Sequence, residues 1–395
     1  TTNETNRFFA VAWGTAPNIQ GVIAPSGTGT RGSGAFVAEG ITYGTAINDN
    51  LLINGGFDVW QRLQGDAGSG ASNQGTTGSF HFADRWTRVD GTSGCSHGNH
   101  AISRFQFDDN QTEVFGNPKY FAAIQNTVTG GTTADYIHIE NRIEDVRTLR
   151  GEEATLSFWS RAASSGTTMD VAITQYDGAT ASTLYPSTVS LGTVWSKYEI
   201  TFNVPPITST PSGDHYLGVG FRSERVDNIF GLAQMKLERG SVATTNQGVN
   251  FDDELNKCKR YYQRTYSIDE QNYSVTMLDT NTPSISSLDF TITPNKDLYH
   301  TFDVPMRETP TVTLYSPSTG YVGDGFNRSA NKDLRNASGT YGWDNMPRIA
   351  PAGSATIGVD YLNSNGVYIT VPSGSVLFDN VSVHYVADAD LNENM

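Results

Sequence analysis

Cys95, His97 and His100, in C-S-H-G-N-H, form the densest group of soft metal ligands in the sequence. A structural zinc takes four protein ligands in a tetrahedral array, and this spacing is not that of a finger. The run reads instead as a polar loop whose histidines face water. Glycoside hydrolysis needs two carboxylates facing each other across a cleft. Asp135, Glu140, Glu144 and Asp145 supply acids, but no spacing singles out a pair. The chain has no G-x-S-x-G, no H-E-x-x-H, no P-loop, and no G-x-G-x-x-G set between a strand and a helix. The expectation is a protein that is not an enzyme.

Holding a sugar makes other demands: an aromatic face for the apolar side of the ring, and fixed amides or guanidinium groups for its hydroxyls. Trp159 and Arg222 occupy outward positions of alternating runs, and Gln125 and Tyr176 join them as expected carbohydrate contacts. A second aromatic set, Tyr321, Phe326, Tyr341 and Trp343, lies amid Gly, Asn and Asp within 318–350. Long loop-rich stretches are uncommon unless they bind something, so these four are expected loop contacts. Trp60, Trp86 and Trp195 are expected in the core.

These side chains need strands to hold them. Tyr198, Ile200, Phe202 and Val204 alternate with Lys197, Glu199, Thr201 and Asn203, which predicts one buried and one wet face. Ala154, Leu156 and Phe158, then Leu217, Val219 and Phe221, then Ala233, Met235 and Leu237 repeat the pattern. Turn signals at Gly130-Gly131, Asp177-Gly178, Pro205-Pro206 and Ser212-Gly213 separate the runs. Together they predict an antiparallel sandwich over 49–245.

One helix is predicted within 246–269, where Asn250 caps F-D-D-E-L-N-K-C-K-R-Y-Y-Q-R. Phe251, Leu255, Cys258 and Tyr262 form its apolar stripe, with acids in the first turn and bases near the end. Cys258 reads as a small buried residue. The helix should link the first sandwich to a second over 270–395. L-Y-H-T-F-D-V-P at 298–305 echoes K-Y-E-I-T-F-N-V-P at 197–205. That echo fits either a duplicated sandwich or two strands that merely end alike.

Residues 1–48 stand apart, mixing small residues with isolated aromatics around P-S-G-T-G-T-R-G-S-G. So few apolar groups cannot offset chain entropy unaided. The segment reads as an arm ordered by docking on another molecule, or as a flexible tail.

Composition sets the outer bounds. Charged residues are 17% of 395, against about 25% in average proteins. A surface so poor in charge, with 40 Gly, 18 Tyr and 19 Phe, fits an all-β chain. The net charge of −15 and the lack of a basic stripe argue against nucleic acid as a partner. Two cysteines far apart cannot form a disulfide framework. No apolar run approaches the ~18 residues that span a bilayer, and the first residues lack the layout of a secretion signal. The expectation is a soluble protein with no membrane insertion.

Five motifs in order over 50–262 carry a resemblance: I-N-G-G-F-D-V-W-Q-R, A-D-R-W, L-S-F-W-S-R-A, F-G-L-A-Q-M-K-L-E-R-G and K-C-K-R-Y-Y-Q-R. They resemble the carbohydrate-binding-module jelly roll of bacteriophage tail-fibre and other virion surface proteins. The ending H-Y-V-A-D-A-D-L resembles the close of many tail proteins. The resemblance implies two jelly-roll-like β-sandwiches joined by a short helix behind an N-terminal attachment arm. It also implies a homotrimeric structural protein of the virion, arm on the particle and sandwiches on host-surface glycans. A capsid-bound head fibre or decoration protein is the first alternative, and a surface polysaccharide depolymerase the second. Such sandwiches often hold a structural calcium, for which Asn54 and Asp58 are the candidates; no other cofactor is implied. Gly231 to Gln234 stand where the family tends to place an Asp pair.

Overall fold

A computed structural model describes residues 50–62, 79–91, 100–126, 136–224, 228–246, 248–265, 288–290, 298–315, 326–327, 332–333, 358–370 and 381–391. The 1–48 arm, Cys95, His97, Asp135, Tyr321, Tyr341 and Trp343 fall outside them, and only the backbone of His100 and Phe326 is described.

The alternating runs become strands of two antiparallel sheets. In chain order the strands are β1 (Ser79–His81), β2 (Trp86–Gly91), β3 (His100–Gln106), β4 (Tyr120–Asn126), β5 (Tyr136–Glu144) and β6 (Glu153–Ala162). They continue with β7 (Thr167–Tyr176), β8 (Ala181–Leu191), β9 (Ser196–Asn203), β10 (Tyr216–Glu224) and β11 (Asn228–Arg239). One sheet runs β1-β2-β5-β10-β7-β8 and the other β3-β4-β11-β6-β9. Leu156, Phe158 and Phe202 face Leu217, Val219 and Phe221 across the shared core, and Phe158 meets Phe221 edge-on at 4.7 Å. Trp60 and Trp86 lie in the same core, fully buried as expected.

In β11 the expected alternation breaks. Phe230 and Leu232 point into the core, and so do Met235 and Leu237, which are of opposite parity. A register shift between Ala233 and Lys236, with Gln234 at φ 49, supplies the extra residue. A bulge of this kind flips the side chains beyond it to the other face. Ala233, expected with Met235 and Leu237, therefore lies on the outer face beside Phe107, Val114 and Trp195. Trp195 is buried in that outer cluster rather than in the main core. Its ring lies over Gly231, where a Cβ would come within 2.8 Å of it. That close approach is a physical reason for glycine at Gly231.

The predicted helix is α1 (Phe251–Lys259), and Asn250 caps it by accepting from Asp252 N at 2.8 Å and Asp253 N at 3.4 Å. The stripe differs from expectation. Phe251 is 44% exposed, Tyr262 lies past the helix end, and Glu254 is buried with Cys258. Glu254 turns inward because its carboxylate accepts from Asn54 N, 200 residues earlier.

Beyond the helix lie β12 (Tyr262–Arg264), β13 (Leu288–Phe290), β14 (Leu298–Thr301), β15 (Thr311–Tyr315), β16 (Phe326–Asn327) and β17 (Lys332–Asp333). The last strands are β18 (Gly358–Asn363), β19 (Gly366–Thr370) and β20 (Val381–Asp388). β20 pairs with β12, β13, β15 and β16, and β14-β19-β18 form a separate sheet. A small core of Phe302, Met306, Leu314, Val367, Ile369 and Tyr385 joins them. The chain is all-β apart from the single helix among the described residues, and no described helix is long and apolar enough to cross a membrane.

Candidate functional site

The outer face of the six-stranded sheet takes its side chains from alternate positions of β5, β10, β7 and β8. Gly220 sits opposite Glu140 and Ala172, and Gly218 opposite Arg142 and Thr174. In the middle of the face the two glycines make room for the buried Glu140–Arg142 ion pair. At one end Arg222 lies 4.1 Å over the Tyr136 ring and 5.6 Å from the Tyr185 ring, and its Nη1 donates to Tyr185 Oη at 3.2 Å. Tyr185 is 42% exposed. Asp170 is the register partner of Arg222 and accepts from Thr188 Oγ1 at 2.6 Å. A planar cation stacked on one phenol and hydrogen-bonded to a second, beside a carboxylate–hydroxyl pair, offers aromatic area and directed hydrogen bonds at one place.

The four expected carbohydrate contacts are divided between the two sheets. Arg222 and Tyr176 share this face but lie six residues apart along it, about 20 Å at strand rise. Tyr176 is buried against Tyr216 and Leu391. Trp159 and Gln125 belong to the other sheet, where Trp159 packs against the cluster of Phe107, Val114 and Trp195. The sequence reading overlooked Tyr136 and Tyr185. The wet pattern of β8 marks Tyr185, whereas only strand register brings Tyr136 to Arg222.

Glu140, Glu144 and Asp145 are each held in an ion pair, with Arg142 at 2.8 Å, Arg260 at 3.2 Å and Arg147 at 3.0 Å. The Asn54 side chain is committed to the chain itself: Nδ2 donates to Val59 O and Asp84 O, and Oδ1 accepts from Val59 N. Asp58 lies in the field of Glu254. Burial first, and then that negative neighbour, push its carboxyl up to about 6, against the opposing pull of Lys119 and Arg104.

A raised carboxyl stabilises the fold below its unfolded value near 4, and that contribution is lost as pH rises through the folded value. Replacing Asp58 by Asn should therefore raise stability at pH 7 by about 1–3 kcal/mol and flatten the pH profile between roughly 4 and 6. Urea unfolding at pH 4.5 and pH 7 checks this. Equal pH dependence in the two proteins would remove Asp58 as the cause.

Residues from separate motifs meet at a buried knot at the other end of the same face, where Arg142, Tyr216 and Tyr176 lie. Arg62 pairs with Asp388 and Asp390, both at 2.9 Å, and stacks 4.1 Å over Tyr262. Arg85 donates to Asp390 and to Arg142 O, and lies 3.4 Å over Tyr261. Arg142 donates to Leu391 O at 2.8 Å and lies 4.6 Å over Tyr216. Burial lowers the Arg85 guanidinium to about 10, so it stays charged at neutral pH and requires its counter-ion.

No family model and no curated protein matches the sequence. Among solved structures, the enzymatically active domain of tailspike protein 4 from bacteriophage CBA120 is 14% identical, over 40% of this chain and 19% of that one, at a TM-score of 0.28. A CBM4 structure is 16% identical over 47% and 98%, at 0.28. TmCBM61 in complex with β-1,4-galactotriose is 14% identical over 48% and 99%, at 0.27. The chain thus spans about a fifth of the tailspike protein it matches. Likenesses at this level decide nothing about ligand or partner.

Proposed function

We propose that this chain is a non-catalytic attachment protein of a virion, a phage tail fibre or receptor-binding protein, that holds host-surface glycans on the outer face of its six-stranded sheet. The observation that carries the glycan reading is Arg222 stacked on Tyr136 and hydrogen-bonded to the exposed Tyr185, next to Asp170 and Thr188. Sugar rings stack on such flat surfaces, and their hydroxyls pair with fixed guanidinium and carboxylate groups. The resemblance of the ordered motifs supplies the virion setting. In that setting the 1–48 arm grips the particle, the protein is a homotrimer, and several weak sites act together through avidity.

A glycan array with the intact chain tests the reading, followed by calorimetry on each hit. Tyr185→Ala and Arg222→Ala should each weaken binding at least tenfold, or about 1.4 kcal/mol, with Tyr185→Ala leaving the melting temperature almost unchanged. Silence across the array, or full affinity in both variants, would end it. New reducing ends from host polysaccharide would favour a depolymerase instead. Removing residues 1–48 and finding which part of the particle loses the protein separates tail fibre from head fibre.

A further inference from the structure

We propose that the arginine–tyrosine knot is a peptide-recognition site whose ligand is an acidic Asp-x-Asp-Leu segment, which binds in trans as well as when joined to its own chain. This inference stands apart from the sugar reading. β20 ends at Asp388, Ala389 adds one bond in the register of the Tyr262–Asp388 pair, and the residues after it leave the sheet ladder. Ala389 and Leu391 are held by groups from distant parts of the chain. Ala389 N donates to Tyr261 O at 2.8 Å, Ala389 O accepts from Arg307 Nε at 3.0 Å, and Leu391 O accepts from Arg142 Nη1 at 2.8 Å. The carbonyls of Ala389 and Leu391 are thus read by arginine side chains, and Ala389 N by a strand-end carbonyl, as in a peptide bound by strand addition.

The side chains add selectivity. Asp390 is 4% exposed between Arg85 and Arg62, with His81 Nδ1 3.6 Å from Oδ2. Leu391 is 1% exposed and packs with Tyr176 and Tyr216. Asp388 reaches the same Arg62 from the rim, where its side chain is 35% exposed. The receiving side is assembled without the segment itself, from Arg62, Arg85 and Arg142 of the first sandwich and the tyrosines that flank them. Emptied, it would strip the buried Arg62 and Arg85 of their aspartate partners while Arg142 keeps Glu140, so an acidic ligand is favoured over a neutral one.

The test uses a chain truncated after Ala387 and a labelled peptide, V-A-D-A-D-L, with V-A-N-A-N-L as control. The acidic peptide should bind the truncated chain at least tenfold more tightly than the control. It should also bind at least tenfold more tightly than it binds the full chain, whose site is occupied. A folded truncated chain that binds neither peptide, or both alike, overturns the proposal. Should truncation prevent folding, the full chain carrying Asp390→Asn replaces it. In that variant the acidic peptide must displace the weakened segment, seen as binding at least tenfold tighter than to the unaltered chain, and equal binding to both overturns the proposal.

Discussion

Replacing Asp390 by Asn should lower the stability of the protein by about 3–5 kcal/mol, whereas the same change at Asp388 should cost less than about 1 kcal/mol. Both aspartates pair with Arg62 at 2.9 Å, so distance alone predicts equal effects. Burial separates them. The Asp390 side chain is 2% exposed and also faces Arg85, itself 2% exposed, whereas Asp388 is 35% exposed and water already screens its pair. Taking the charge from Asp390 leaves Arg85 desolvated, with Arg142 O, the Tyr261 ring and the field of Glu144 as its compensation among the described residues. Denaturant unfolding of the two single variants measures the difference. Equal losses would show that the knot is hydrated and that its charges are not matched inside the fold. The pair Arg85→Met with Asp390→Leu should recover much of the loss, because it removes the unmatched ion together with its partner.

The knot also explains which parts of the sequence were readable. Arg62 closes I-N-G-G-F-D-V-W-Q-R, Arg85 stands in A-D-R-W, Tyr261 and Tyr262 lie in K-C-K-R-Y-Y-Q-R, and Asp388 to Leu391 end V-A-D-A-D-L. As strings they suggested only a resemblance, because pairings across 300 residues leave no periodic trace in either partner. Strand patterning was readable where one face is wet, as in β9, whose exposure alternates with Phe202 turned inward. It failed at β11, where a single residue at Gln234 reverses the phase while the composition looks unbroken. The helix start was readable from Asn250 and the acids that follow it. Its buried stripe was not, because Glu254 answers a backbone amide at Asn54 rather than the hydrophobic pattern. The candidate site divided for the same reason. Arg222 could be placed by alternation, but the stack it makes depends on register and on the exposed β8 edge.

Asn54→Ala should be the most damaging single truncation of a polar residue in the first sandwich, at about 3–6 kcal/mol. Asn54 is 1% exposed and at φ 59, a backbone region that Asn tolerates better than Ala. Its Nδ2 donates to Val59 O at 2.7 Å and Asp84 O at 2.9 Å, and its Oδ1 accepts from Val59 N at 3.0 Å. Val59 O keeps a second donor in Asp84 N at 3.1 Å, so the variant orphans chiefly Val59 N and Asp84 O. Each buried orphan costs about 1–3 kcal/mol, and the backbone strain adds about 1 kcal/mol. Asn54→Gly isolates the last contribution, because it loses the same bonds without the strain, and should be about 1 kcal/mol less damaging. The Trp86 indole donates to Asn54 O at 2.9 Å, so near-ultraviolet circular dichroism should report a loosened Trp86 in both variants. A loss below 1 kcal/mol in Asn54→Ala would mean that water reaches this turn and meets the abandoned groups. The Gly55 position beside it leaves little room for such relaxation, since even a Cβ there would lie 2.2 Å from Met235 O. The rigidity of that turn is what converts a lost amide into a lost fold.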